Sequence, residues 1–145
     1  MAVVGPGDAS AAESETAEAV GRELAERGAV LVSGGLGGAM EAACRGAKQA
    51  GGTTVGILPG LDRGAANRWV DVAVPTGVGE ARNALVVRAA DAVIAVAGGY
   101  GTLSEIALAL KCGKPVVGLG SWTIDGVEPA TDAGKAVDSA LRGLA

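Results

Sequence analysis

An α/β fold, a parallel sheet with helices on both faces, is predicted by three features of this 145-residue sequence. Short apolar runs of Val, Ile, Leu and Ala alternate with helix-patterned segments, the order expected when each strand is followed by a right-handed crossover helix. Nearly half of the residues are apolar, yet there is no Phe, one Tyr and two Trp. The core must therefore be aliphatic and closely packed, as in strands buried on both faces. The 25 glycines follow no three-residue repeat, which excludes a collagen-like chain, and several fall where a strand should turn into a helix. The length suits one domain, residues 1–145, with a core of its own.

In chain order, residues 2–4 (Ala-Val-Val) read as a first strand, followed by the turn Gly5-Pro6-Gly7-Asp8. Ser10 and Glu13 have capping-box spacing, so a helix should start there, run to about Arg27 and stop at Gly28. Residues 29–32 form a second strand, and Ser33-Gly34-Gly35-Leu36-Gly37-Gly38 a second glycine turn. The helix over 39–50 has a face of small residues that could lie close to the sheet. Residues 53–58 and 70–74 are strands three and four, joined by a polar loop with Arg63, Asn67 and Arg68. Thr76-Gly77-Val78-Gly79 leads into a helix over 80–90 with Arg82 in its first turn. Residues 92–97 are strand five. From Thr102 a helix follows, with Leu103, Ile106, Ala107 and Leu110 predicted on its apolar face. Residues 115–120 form strand six. The tail holds an Asp125-Gly126 turn and a last helix from Thr131, with Ala133, Ala136, Val137, Ala140, Leu141 and Leu144 predicted inward. The whole is a single-domain, Rossmann-like arrangement.

The bulk numbers exclude several function classes. A net charge of −4 gives no basic footprint for nucleic acid. No apolar run reaches membrane-spanning length. Met1 leads almost directly into the first strand, so no leader is expected and the cytoplasm is the default location. There is no His, which removes His bases and His metal ligands, and two cysteines, Cys44 and Cys112, do not make a zinc site. They are expected as small buried thiols. No metal and no required cofactor are expected.

In open parallel sheets, ligands bind beyond the carboxyl ends of the strands. The candidate ligand residues all fall at that edge: Gly5, Gly7, Ser33, Gly34, Gly35, Gly77, Arg82, Asn83, Gly98, Gly99, Tyr100, Gly101 and Thr102. The turn 98–102 suits a phosphate best, because glycines let backbone N–H groups converge and the following helix adds a favourable dipole. The glycines of 34–38 fit close helix–sheet packing as well as close approach to a ligand. Glu105 has two explanations. Thr102-x-x-Glu105 has capping-box spacing, which needs no ligand, and spacing alone favours that. Otherwise its carboxylate lies over the ligand as an acid/base group or charge stabiliser. Arg82, a cation in a first helical turn where the dipole disfavours it, makes more sense beside an anion.

Gly98-Gly99-Tyr100-Gly101-Thr102-Leu103-Ser104-Glu105 resembles the PGGxGTxxE signature of the Lonely Guy (LOG) superfamily, also labelled "lysine decarboxylase-like". Ser33 to Met40, Gly56 to Gly60 and Ala81-Arg82-Asn83 resemble that superfamily too. The likeness is greatest to its molybdenum-cofactor-carrier-like, DprA/Smf-related nucleotide-binding branch. LOG enzymes cleave the base–ribose bond of nucleoside 5′-monophosphates, and the resemblance would make Arg82 and Glu105 catalytic here. Two departures stand out: Asn83 where those enzymes usually have Lys, and Ala97 where they have Pro. The expectation is therefore a binding protein for a phosphorylated, nucleotide-like small molecule, a nucleoside monophosphate or a molybdopterin-type cofactor, held at 98–102. The alternative is a LOG-type phosphoribohydrolase. The resemblance also implies a homodimer or higher homo-oligomer, and it gives no support to decarboxylation.

Overall fold

The computed structural model describes residues 1–145. Seven parallel strands make one sheet: β1 (Ala2–Val4), β2 (Leu31–Ser33), β3 (Thr54–Leu58), β4 (Val72–Pro75), β5 (Val93–Val96), β6 (Val116–Leu119) and β7 (Val127–Pro129). Their order is β4-β3-β2-β1-β5-β6-β7. The chain thus winds outward from β1 in one direction and then, from β5, in the other. The register Val3↔Ile94 and Val4↔Ala95 places β5 beside β1. That junction is the topological switch point, where the turns after β1 and β5 diverge and leave a crevice.

Five helices cover the sheet: α1 (Ala11–Glu26), α2 (Ala39–Gln49), α3 (Arg82–Ala89), α4 (Tyr100–Lys111) and α5 (Ala133–Arg142). One face packs α1, α2 and α5 through Val20, Leu24, Ala43, Ala47, Val137 and Ala140. The other packs α3 and α4 through Val86, Val87, Ile106 and Ala109. No aromatic side chain is among the buried residues. Small residues set the layer spacing, as the composition implied. A Cβ on Gly21 would lie 1.9 Å from the Ala43 carbonyl oxygen, and one on Gly46 would lie 1.9 Å from that of Glu18. Glycine at both positions lets α1 and α2 meet backbone to backbone, and Arg45 pairs with Glu18 at 2.8 Å beside the crossing.

Three expectations are corrected. The tail contains a seventh strand, β7, paired in parallel with β6 through Val117↔Glu128. It is only three residues long and ends in Pro129, a residue tolerated at a sheet edge. In α5, Leu144 is not inward but 45% exposed, beyond the end of the helix. Cys112 is exposed, whereas Cys44 is buried as expected.

Candidate functional site

Strand β5 ends at Val96, and the chain turns through Ala97, Gly98 and Gly99 into α4. The helix starts at Tyr100, two residues before the predicted start, with extended Gly99 as its N-cap and no capping side chain. Thr102 is therefore the third helical residue, and the expected Thr102–Glu105 capping box does not form. The first intrahelical bond runs from the Leu103 N–H to Gly99 O, 3.0 Å. The N–H groups of Tyr100, Gly101 and Thr102 are left as spare donors at the helix end.

The helix face also differs from the prediction. Thr102, Glu105, Ile106 and Ala109 are buried, while Ala107 is exposed. Two polar residues occupy the inner face at its N-terminal end. There they line a cavity of about 290 Å³, together with Gly5, Pro6, Gly7, Asp8, Met40, Arg82, Asn83, Gly99 and Gly101. This cavity lies at the switch point, between the turns that follow β1 and β5.

Helix α2 contributes a second uncapped N-terminus. Its N-cap, Gly38, has φ +64° and no side-chain cap. A Cβ there would fall 2.4 Å from Pro6 O. Glycine 38 thus lets the helix end press against the β1 turn, where the Ala39 N–H donates to Pro6 O at 3.0 Å. Helix α3 likewise has no side-chain cap and opens with Arg82.

Arg82 is 9% exposed. Its Nη1 donates to the backbone carbonyls of Gly34 and Ile57, the latter at 2.6 Å, and its Nε donates to Asn83 Oδ1 at 3.0 Å. These acceptors offset the unfavourable dipole and leave Nη2 without a protein partner. A Cβ on Gly34 would sit 2.4 Å from Nη1, so the 34–38 turn is glycine-rich in part to admit this guanidinium. Burial pushes the Arg82 pKa down and Glu105 pulls it up, but an arginine stays charged at neutral pH. Asn83 Nδ2 donates to Ser104 Oγ at 3.3 Å, and Ser104 Oγ donates to Gly101 O at 2.6 Å. A chain of hydrogen bonds therefore ties Arg82 to the α4 turn.

Glu105 is 8% exposed. Burial raises its pKa to about 8, and Arg82 moderates the rise. Its carboxyl group has no hydrogen bond within the protein and forms no ion pair with Arg82, although both line the same cavity. Burial thus favours its protonated, donating form, in the same cavity as the fixed Arg82 cation. The pattern of spare N–H groups, a charged guanidinium and a neutral carboxyl is suited to an anion with an adjoining polar group.

A larger cavity, about 610 Å³, opens at the same sheet edge on the α1/α5 face, lined among others by Glu13, Thr16, Ala97, Leu119, Thr131 and Asp132. Its two helix ends are closed. Ser10 and Glu13 cap α1 reciprocally at 3.2 and 2.9 Å, and Asp132 accepts from the Lys135 N–H at 2.9 Å. That bond, aided by the Lys135 side chain, holds the Asp132 carboxyl below its ordinary pKa.

The sequence matches the profile of the SLOG cluster4 family over residues 1–140. The chain belongs to the SLOG cluster4 family. A protein of Archaeoglobus fulgidus is 47% identical over 119 residues, 82% of this chain and 78% of that one. The structure of the molybdenum cofactor binding protein from Rippkaea orientalis superposes with a TM-score of 0.90 at 39% identity, covering 94% of this chain and 91% of that one. A cytokinin riboside 5′-monophosphate phosphoribohydrolase of Mycobacterium tuberculosis is 35% identical over 117 residues, 74% of this chain and 63% of the enzyme. The superfamily suggested by the 98–105 motif is thus the one to which this SLOG cluster4 protein belongs.

Of the residues predicted for the site, Gly5, Gly7, Arg82, Asn83, Gly99, Gly101, Thr102 and Glu105 converge on the smaller cavity. Ser33, Gly34, Gly35, Gly77, Gly98 and Tyr100 lie outside its lining. Ser33 Oγ accepts from the Gly35 N–H at 3.1 Å, Gly34 holds Arg82, and Gly77, at φ +69°, packs against Leu61. Gly98 lies under Trp122, and the Tyr100 ring stacks on that indole. Sequence reasoning missed Pro6, Asp8 and Met40 as lining residues. Pro6 and Asp8 were within reach, since they flank Gly7, whereas Met40 enters only because α2 ends against the β1 turn.

Proposed function

We propose that this protein binds a phosphorylated, nucleotide-like small molecule, a nucleoside monophosphate or a molybdopterin-type cofactor, with its phosphate at the uncapped end of α4. The observation that carries the reading is the convergence, on one cavity, of the free α4 N–H groups and an Arg82 guanidinium whose Nη2 is unpartnered. Gly99, Gly101 and Thr102 supply the cradle, Arg82 the charge, and Asn83 holds Arg82 in place. The likeness to a molybdenum cofactor binding protein along nearly the whole chain supports a carrier. Calorimetric titration with AMP, molybdopterin and inorganic phosphate should show binding of at least one, lost in Arg82→Ala. Indifference to all three would refute it.

A second reading, N-glycosidic cleavage of a nucleoside 5′-monophosphate, is favoured by one observation: Glu105 is buried over the cavity instead of capping its own helix. Deprotonated, it could stabilise positive charge building on the ribose while Arg82 holds the phosphate. Against it stand Asn83, where the enzymes carry Lys, and Ala97. Ala97 has φ +54°, a conformation closed to the Pro of the enzyme signature, whose ring fixes φ near about −65°. Incubation with AMP distinguishes the two readings. A carrier releases no adenine above a Glu105→Ala control, and a hydrolase does.

A further inference from the structure

The chain has three aromatic residues, and none of them is fully buried, although Trp69 packs half-buried against the core. Trp69 lies at the amino edge of the sheet, where its carbonyl accepts from Thr54 Oγ1 at the start of β3 and the Arg68 guanidinium covers its ring at 4.6 Å. The other two stand together at the carboxyl edge. The rings of Tyr100 and Trp122 stack with centroids 6.3 Å apart and planes inclined by 27°. Trp122 Nε1 donates to Gly99 O at 3.2 Å, which pins the indole to the α4 N-cap. Gly98 makes room for it, since a Cβ there would lie 2.6 Å from Nε1. Tyr100 is 85% exposed and sits in sequence between Gly99 and Gly101, two residues of the anion cavity.

We propose that Tyr100 and Trp122 are the stacking platform for the planar, fused nitrogen heterocycle, purine or pterin, of the ligand whose phosphate occupies the adjoining α4 turn. This rests on the binding function proposed above and adds the part of the ligand the cavity does not account for. A volume of about 290 Å³ with spare donors and a cation suits a phosphate and an attached sugar-sized group. It offers no apolar flat wall, for of its lining only Met40 has a large apolar side chain beyond Pro6. The flat wall begins one residue along the same turn, at Tyr100, and its other ring, Trp122 beyond the end of β6, is tied to that turn by the indole hydrogen bond. Rings of any fused heterocycle present π-faces to such a surface, and Tyr and Trp accept them without sequence-type readout.

The test uses the full chain in a Trp69→Phe background, which leaves Trp122 as the sole indole. Its fluorescence is followed during titration with AMP, 6-hydroxymethylpterin phosphate and ribose 5-phosphate. The proposal expects a ring-bearing probe to quench Trp122 and to bind more tightly than ribose 5-phosphate. Tyr100→Ala should weaken that probe about ten-fold, leave ribose 5-phosphate within about two-fold, and be rescued by Tyr100→Phe. If ribose 5-phosphate binds but the rings add no affinity, or if Tyr100→Ala changes nothing, the platform is refuted while the phosphate site stands. If Tyr100→Ala alters only the mass seen by light scattering, the pair belongs to an interface between copies and the proposal fails. If none of the three probes binds, the phosphate site itself falls, and the platform with it.

Discussion

Two of the cavities at the carboxyl edge of this sheet reach helix ends, and the smaller of these two is the better candidate. The larger, about 610 Å³, lies between α1 and α5. The smaller, about 290 Å³, lies between the β1 turn and the ends of α2, α3 and α4. Volume would choose the first. Hydrogen-bond accounting chooses the second. At the larger cavity the helix ends are closed by Ser10, Glu13 and Asp132, whose acids also repel an anion. At the smaller one no helix end carries a side-chain cap, and a buried arginine keeps one nitrogen free. The same chain caps its helices where they serve stability and leaves them open at the switch point. An uncapped end gives up about 1 kcal/mol that a Ser or Asp would provide, and this difference is the ground on which we propose the smaller cavity as the site.

The largest expected effect separates the two cavities most sharply. Arg82→Ala should abolish measurable phosphate binding and also destabilise the fold by roughly 2–4 kcal/mol, because the buried carbonyls of Gly34 and Ile57 lose their donor. Chemical denaturation alongside calorimetry reads both. Arg82→Lys should fail to restore them, since a lysine cannot serve both carbonyls and a ligand. A variant that still binds phosphate at full affinity would break the comparison.

Glu105→Gln comes next. With the carboxyl pKa raised to about 8 in the folded protein and near 4.5 unfolded, the folded state holds the extra proton between those values. Stability therefore falls as pH rises from about 4.5 to 8, and is level above that. Glu105→Gln should remove this slope and gain at most about 3 kcal/mol at pH 7, measured as denaturation midpoints across pH. In the wild type, phosphate affinity should fall as pH rises through 8 and Glu105 becomes an anion, and in the variant it should not.

On the capped side, Ser10→Ala and Asp132→Ala should each cost about 1 kcal/mol with no change in phosphate affinity. A change there would move the site to the larger cavity. The smallest effect belongs to Ala97, which lines the larger cavity yet begins the α4 turn. Ala97→Gly should stabilise by up to about 1 kcal/mol by relieving its positive φ, and thermal melts would detect it.

Much of this architecture was legible in the sequence, and for physical reasons. Strand-like Val/Ile/Leu runs and the Ser10–Glu13 box report local preferences that the fold leaves undisturbed, so β1 to β6 and α1 fall near their predicted places. What escaped was decided by tertiary contact. β7 is too short to signal itself and exists because β6 offers an edge. In α4, Leu103 and Ala107 looked like the inner face. Thr102 and Glu105 are buried instead, where they line the cavity. That departure from the apolar pattern is the sequence feature that points to the candidate site. The Glu105 ambiguity turned on two residues of helix, because starting at Tyr100 removes the capping box that Thr102 would have made.

The most direct test of the claim that spare donors choose the site is amide NMR during titration with AMP and with inorganic phosphate. The expected shifts are at Gly99, Tyr100, Gly101 and Thr102, with smaller ones at Gly5 and Gly7, and none at the capped ends of α1 and α5. Shifts concentrated at Glu13, Thr16, Thr131 and Ala133, with the α4 turn silent, would contradict it.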